Sequence, residues 1–202
     1  MRIAITGGIC EGKSTVLGYL REGGWSVCSS DDVARAFFKD PSVNRDLARL
    51  AGLDFPMEPG ALRSAIGASP SVRRSVNRYL HPLIREATAS IEATFFEVPL
   101  LFEACLQGAY DEVWVVTCGA SEQRRRLVDR YGPGPAIEGL LSSQLPSSAK
   151  IAFSDQVIRT NQPPETVRSS LDEATNELSR RMLAVRNVSC YTQPDLPARG
   201  SN

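Results

Sequence analysis

Long apolar stretches are missing from this 202-residue chain. No run approaches the ~20 residues that a bilayer-spanning helix needs. An excess of charge is missing too: 23 Lys and Arg balance 23 Asp and Glu. That removes the global field expected of a nucleic-acid or membrane-surface binder. Histidine is nearly absent, and the single His81 cannot build a zinc cluster with the cysteines. Cys10, Cys28, Cys105, Cys118 and Cys190 are odd in number and show no C-x-x-C spacing. They suit neither a disulfide framework nor a zinc site. Four read as small buried hydrophobes; Cys10 stands apart for its position. There is no charged-then-apolar leader, no internal repeat and no G-x-S-x-G elbow. No Asp-x-x-Gly follows a strand and no N-K-x-D occurs, so a guanine-nucleotide switch finds no support. A cytoplasmic protein is expected, without membrane or nucleic-acid partners.

What is present starts at residue 7. Gly7-Gly8-Ile9-Cys10-Glu11-Gly12-Lys13-Ser14 is a full match to G-x-x-x-x-G-K-[ST]. The apolar run Ile3-Ala4-Ile5 precedes it, and a helical pattern opens at Thr15. That strand–loop–helix setting turns the pattern into a phosphate-binding prediction. Glycines let backbone N–H groups wrap an anion, and the helix N-terminus adds its positive dipole end. Lys13 can reach the β- and γ-phosphates, and the Ser14 hydroxyl can ligate Mg²⁺. A nucleoside triphosphate is the expected ligand.

Hydrophobic residues make up 42% of the chain, enough for a sizeable core. Strands are expected at Ile3–Thr6, Trp25–Ser29, Thr94–Val98, Glu112–Thr117 and Gln156–Ile158. Each is short and mostly apolar, as strands covered on both faces are. Helical patterns alternate with them, which predicts an α/β fold with a doubly wound, parallel, five-stranded sheet. Residues 1–31, 93–130 and 151–184 form the expected nucleotide-binding core. Residues 32–92 carry only helical signals and read as an insertion, with a kink or restart at Pro82. Residues 131–150 open with Tyr131-Gly132-Pro133-Gly134-Pro135 and read as a lid. A helix capped by Ser121 precedes the lid. The last helix starts near Pro163-Pro164 and runs to about Leu183; 185–202 is expected to be a mobile tail.

Asp31 and Asp32 sit where the second strand ends, and ligands bind outside the carboxyl ends of such strands. Asp31 is assigned as the carboxylate that accepts a proton from an attacking hydroxyl, and Asp32 as a helix cap. Glu97 ends an apolar strand as a metal-side carboxylate would. A role as a hydrogen-bonding group behind the residues that touch the ligand suits it equally. Glu103 is placed on a helix surface or beside the substrate. Arg126 and Arg130 are four apart on one helix face and suit a clamp on transferring phosphate charge.

Taken together, these motifs resemble the dephospho-coenzyme A kinase family over most of the chain. The matching segments run in order: Thr6-Gly7-Gly8-Ile9, Asp31-Asp32-Val33-Ala34-Arg35, Leu80-His81-Pro82, and Val98-Pro99-Leu100-Leu101-Phe102-Glu103. Gln123 with Arg126, Leu127 and Arg130 follows, then Ser143-Gln144, Lys150, Asp155 to Ile158, and Asn161. The resemblance implies a phosphate-loop kinase that uses ATP and Mg²⁺ to phosphorylate the ribose 3′-hydroxyl of dephospho-coenzyme A. It implies catalytic roles for Asp31, Lys13 and Arg130. It implies nucleotide contacts from Gly8, Ile9, Cys10, Glu11, Gly12, Lys13, Ser14, Thr15, Arg126, Arg130 and Asn161, with Ser14 as metal ligand. Asp31, Arg35, Arg63 and His81 would face the acceptor. A monomer is expected, with weak oligomerisation as the alternative. The chain departs from the family pattern at Cys10, Glu11, Ser29, Glu97, Leu140 and Gln162-Pro163-Pro164. A carboxylate beside a phosphate site is unfavourable, so the Glu11 side chain is expected to point away. Other small phosphate-loop kinases, for a nucleoside monophosphate, a nucleoside or shikimate, are the nearest alternative. A nucleotide-dependent switch or binding module is the alternative of a different class.

Overall fold

The computed structural model describes residues 1–134 and 136–189. Five strands form one parallel sheet: β1 Ile3–Thr6, β2 Val27–Ser29, β3 Phe95–Glu97, β4 Glu112–Thr117 and β5 Gln156–Arg159. Their spatial order is β2-β3-β1-β4-β5, every pairing parallel. Alternation along each strand divides its side chains between two faces. Ile3, Ile5, Phe95, Trp114, Val116 and Ile158 pack on one face against α1 (Lys13–Glu22) and α9 (Pro164–Ser189). Ala4, Cys28, Phe96, Val98, Val113 and Val115 pack on the other with Leu101. Phe95 meets Trp25 and Trp114 edge-on, with ring centroids 5.3 and 5.1 Å apart, contacts worth ~0.5–1.5 kcal/mol each beyond burial. The expected doubly wound sheet is therefore the observed one.

The insertion is built from α2 (Ser30–Lys39), α3 (Pro41–Ala51), α4 (Pro59–Ala68) and α5 (Pro70–Ala89). It has an apolar cluster of its own, centred on Val43, Leu47, Met57, Leu62 and Val76. Three of its helices open on proline, whose fixed φ and missing N–H suit the first turn. Asp40 caps α3 by accepting from the Ser42 and Val43 amides, and Ser69 caps α5 through the Val72 amide. Pro82 does not end or restart α5, which is one continuous helix from Pro70 to Ala89. Only the Arg78 carbonyl, four residues back, forfeits a ladder partner to it.

After β4 come α6 (Ala120–Tyr131), α7 (Ala136–Ser142) and α8 (Ser147–Ile151). Gly119, not Ser121, is the N-cap of α6. α9 continues through Ser189, past the expected stop near Leu183. The remainder of the expected tail, 190–202, lies outside the described residues. No helix among the described residues is long and apolar enough to cross a membrane.

Candidate active site

The carboxyl ends of β1, β2, β3 and β5 deliver Gly7, Ser29, Glu97 and Arg159 with the segments that follow them. β1 runs straight into the loop 7–12, which opens α1. Two glycines there are fixed by close approach. A Cβ on Gly7 would lie 2.2 Å from the Val116 carbonyl oxygen, and one on Gly12 2.8 Å from Thr160 Oγ1. Gly12 also has φ +92°, where a side chain is strained. Among the described residues, the amides of Cys10, Gly12, Lys13 and Ser14 donate to no protein acceptor. They form an open row of N–H groups at a helix N-terminus, an anion site in geometry and charge.

The amides of Gly8 and Ile9 are differently placed. Gly8 N–H donates to Glu11 Oε2 at 2.5 Å, and Ile9 N–H to Gln144 Oε1 at 3.0 Å. Glu11 is buried, with its carboxylate turned under the loop. Lys13 Nζ folds over the loop and donates to the carbonyls of Gly7 and Gly8 at 2.9 and 2.8 Å. Burial holds its pKa below the ordinary lysine value; Glu97, Glu11 and Asp31 oppose that shift and Lys150 adds to it.

Asp31 and Asp32 lie in the first turn of α2, whose N-cap is Ser29. Asp32 is not the cap: it pairs with Arg35, three residues on, at the surface. The Asp31 carboxylate is exposed and has no hydrogen-bond or ion-pair partner among the described residues. Glu97 accepts from Ser29 Oγ at 2.6 Å, across the β2–β3 register that sets the two side by side. Two departures from the family pattern therefore meet: the longer carboxylate on β3 reaches the shorter hydroxyl on β2.

Arg126 donates to Thr160 O at 2.7 Å and Thr160 Oγ1 at 3.2 Å, and pairs with Glu122. It walls a cleft of about 530 Å³ with Ser121, Glu122, Arg125, Thr160, Asn161 and Gln162, a size suited to a nucleoside. Arg130 does not join it. Its guanidinium lies 5.3 Å from the Tyr131 ring centroid and makes no ion pair among the described residues. Arg35, Arg63 and His81 are exposed on α2, α4 and α5 of the insertion. Ser14 Oγ, exposed and without a protein partner among the described residues, offers a hard oxygen of the kind Mg²⁺ prefers.

Two residues matter more than their motifs indicated. Lys150 is fully buried, its Nζ 2.9 Å from Glu103 Oε1, a charge contact without hydrogen-bond geometry. Burial pushes Glu103 up, but Lys150 and the amide of Leu145 hold it below the usual carboxylate range. Thr160 clamps the loop from β5 by donating to the Glu11 carbonyl at 2.6 Å. No spacing rule points to it; only the sheet order brings it there.

The family model described as Dephospho-CoA kinase matches residues 1–165. A dephospho-CoA kinase of Anaeromyxobacter dehalogenans (strain 2CP-C) is 35% identical over 193 residues, covering 87% of this chain and 91% of that one. The solved structure of TT1252 from Thermus thermophilus is similar with TM-score 0.71 and 27% identity, over 88% of this chain and 97% of that one. A dephospho-CoA kinase from Campylobacter jejuni shares the fold with TM-score 0.64 at 18% identity, over 89% and 97% of the two chains.

Proposed function

The chain belongs to the dephospho-CoA kinase family, and from that premise we propose that it transfers the γ-phosphoryl group of ATP to the ribose 3′-hydroxyl of dephospho-CoA. The observation that carries the reading is the open row of loop amides at the N-terminus of α1, with the Lys13 ammonium folded over the same loop. The amides of Cys10, Gly12, Lys13 and Ser14 hold the triphosphate. Lys13 leaves the Gly7 and Gly8 carbonyls to follow the charge that develops on the transferring group. The acceptor hydroxyl attacks phosphorus, its proton passes to Asp31, the bond to the bridging oxygen breaks, and ADP leaves with that electron pair.

Ser14 Oγ and the Glu97 carboxylate would hold Mg²⁺, which neutralises phosphate charge when bound. A phosphate-bound Mg²⁺ takes few protein ligands, so a cluster of three or more acidic, Cys or His residues is not required. The cleft at Arg126, Thr160 and Asn161 takes the adenosine. Arg130 follows the transferring phosphate only after the lid segment closes, since its present place is over Tyr131. Arg35, Arg63 and His81 present the insertion's polar surface to the acceptor. The same reading makes the protein a cytoplasmic monomer, which sedimentation and cell fractionation check.

The test is ATP consumption with and without dephospho-CoA, with shikimate and nucleoside monophosphates as alternative acceptors. Turnover that depends on dephospho-CoA supports the proposal; turnover with another acceptor in its place overturns it.

A further inference from the structure

Glu11 takes no part in the chemistry above through its side chain, although that side chain is only 1% exposed. Its carboxylate accepts from three donors on three elements. These are Gly8 N–H at 2.5 Å in the loop, Thr117 Oγ1 at 2.8 Å at the end of β4, and Ser147 Oγ at 2.5 Å at the start of α8. The same stretch after α7 makes a second contact with the loop, the Gln144 side chain on Ile9 N–H at 3.0 Å. A buried carboxylate is tolerated where hydrogen bonds replace its lost water. Here those bonds also join the phosphate loop to the end of β4 and to the start of α8.

We infer that Glu11 is a positioning residue that fastens the phosphate loop to the segment bearing Gln144 and Ser147, so that loop and lid side keep one register during transfer. The inference rests on the kinase reading for its kinetic consequence. The chemistry of the contacts sets what each substitution does. Alanine at 11 leaves three donors unpaired. Glutamine keeps an oxygen toward Gly8 and Ser147, and its amide can donate to the Thr117 hydroxyl, which turns to accept. Ser147→Ala removes one contact at a half-buried site and leaves the rest.

Glu11→Ala, Ser147→Ala, the double variant and Glu11→Gln are compared in steady-state kinetics. Expected are ~10- to 10²-fold losses in kcat for Glu11→Ala and Ser147→Ala, with KM for ATP little changed. The double variant should be no slower than Glu11→Ala, because both act through one contact. Glu11→Gln should restore kcat. Hydrogen exchange at the Gly8 and Ile9 amides, read without any acceptor, should speed up in Ser147→Ala. A Ser147→Ala enzyme with wild-type kcat and wild-type exchange overturns the inference, as do losses that multiply in the double variant. If Glu11→Ala does not fold, Ser147→Ala and Glu11→Gln decide it. Absence of dephospho-CoA turnover in the wild type would instead refute the kinase reading, and the exchange measurement would still judge the fastening.

Discussion

Asp31→Asn separates catalysis from architecture at this site. In the folded chain Asp31 is exposed, accepts no hydrogen bond from the protein among the described residues, and sits in the first turn of α2. Removing its charge forfeits its attraction to the helix N-terminus, at most about 1 kcal/mol, and its charge interaction with Lys13, but no protein hydrogen bond among the described residues, so the variant should stay folded. Nucleotide binding should persist, because the loop amides and the Arg126 cleft are untouched. Transfer is another matter. The acceptor is a neutral alcohol whose proton must leave, and asparagine cannot take it. A positioned base contributes ~10²–10⁴-fold, or about 2.7–5.4 kcal/mol of barrier. The loss should fall on kcat, measured by coupled ADP release, while calorimetric affinity for ATP changes little. Asp32→Asn is the control: it breaks only an exposed pair with Arg35, of small worth, and should keep activity. Glu97→Gln should raise the Mg²⁺ concentration needed for half-maximal rate before it lowers the maximal rate. Full turnover in Asp31→Asn, with collapse in either of the others, would refute the assignment.

Lys13→Ala should cut turnover by on the order of 10²–10³-fold in a folded protein; a circular-dichroism check with wild-type rates would sink the loop assignment. Burial pushes the Cys118 thiol up to about 11, so at pH 8, well below that value, it stays protonated. Alkylation mapped by mass spectrometry should then reach Cys10 and the exposed Cys105 but spare Cys118, and Mg-ATP should slow the reaction at Cys10 alone. Arg181→Ala should lower stability by about 1–3 kcal/mol in urea titration, because it leaves the buried Glu112 carboxylate with only the Trp114 indole N–H as side-chain donor; no shift in midpoint would count against that contact.

The sheet and the phosphate loop were legible because short apolar runs, glycines and a lysine each answer a local requirement. The meeting of Ser29 with Glu97 was not legible: the two are 68 residues apart and touch only through the β2–β3 register. Each looked like an isolated departure when read singly. Pro82 misled for a related reason. Propensity penalises a proline within a helix, but packing of Val76, Tyr79, Leu80 and Leu83 into the insertion's cluster outweighs the single lost bond. The burial of Glu11 follows the expectation that it turns away from the phosphates, yet its three donors come from distant segments. The place of Arg130 over the ring of its neighbour Tyr131 is a side-chain choice that no residue pattern specifies.

The insertion's private core has a mechanical meaning. Its cluster contains no strand residue, and the insertion meets the sheet's second face mainly through Val33 and Ile91, one near each of its two junctions with the strands. A substitution deep in α3 should then change how often the four helices open together. Exchange of α3 and α5 amides should accordingly rise together in a weakened variant while β1 and β4 stay protected.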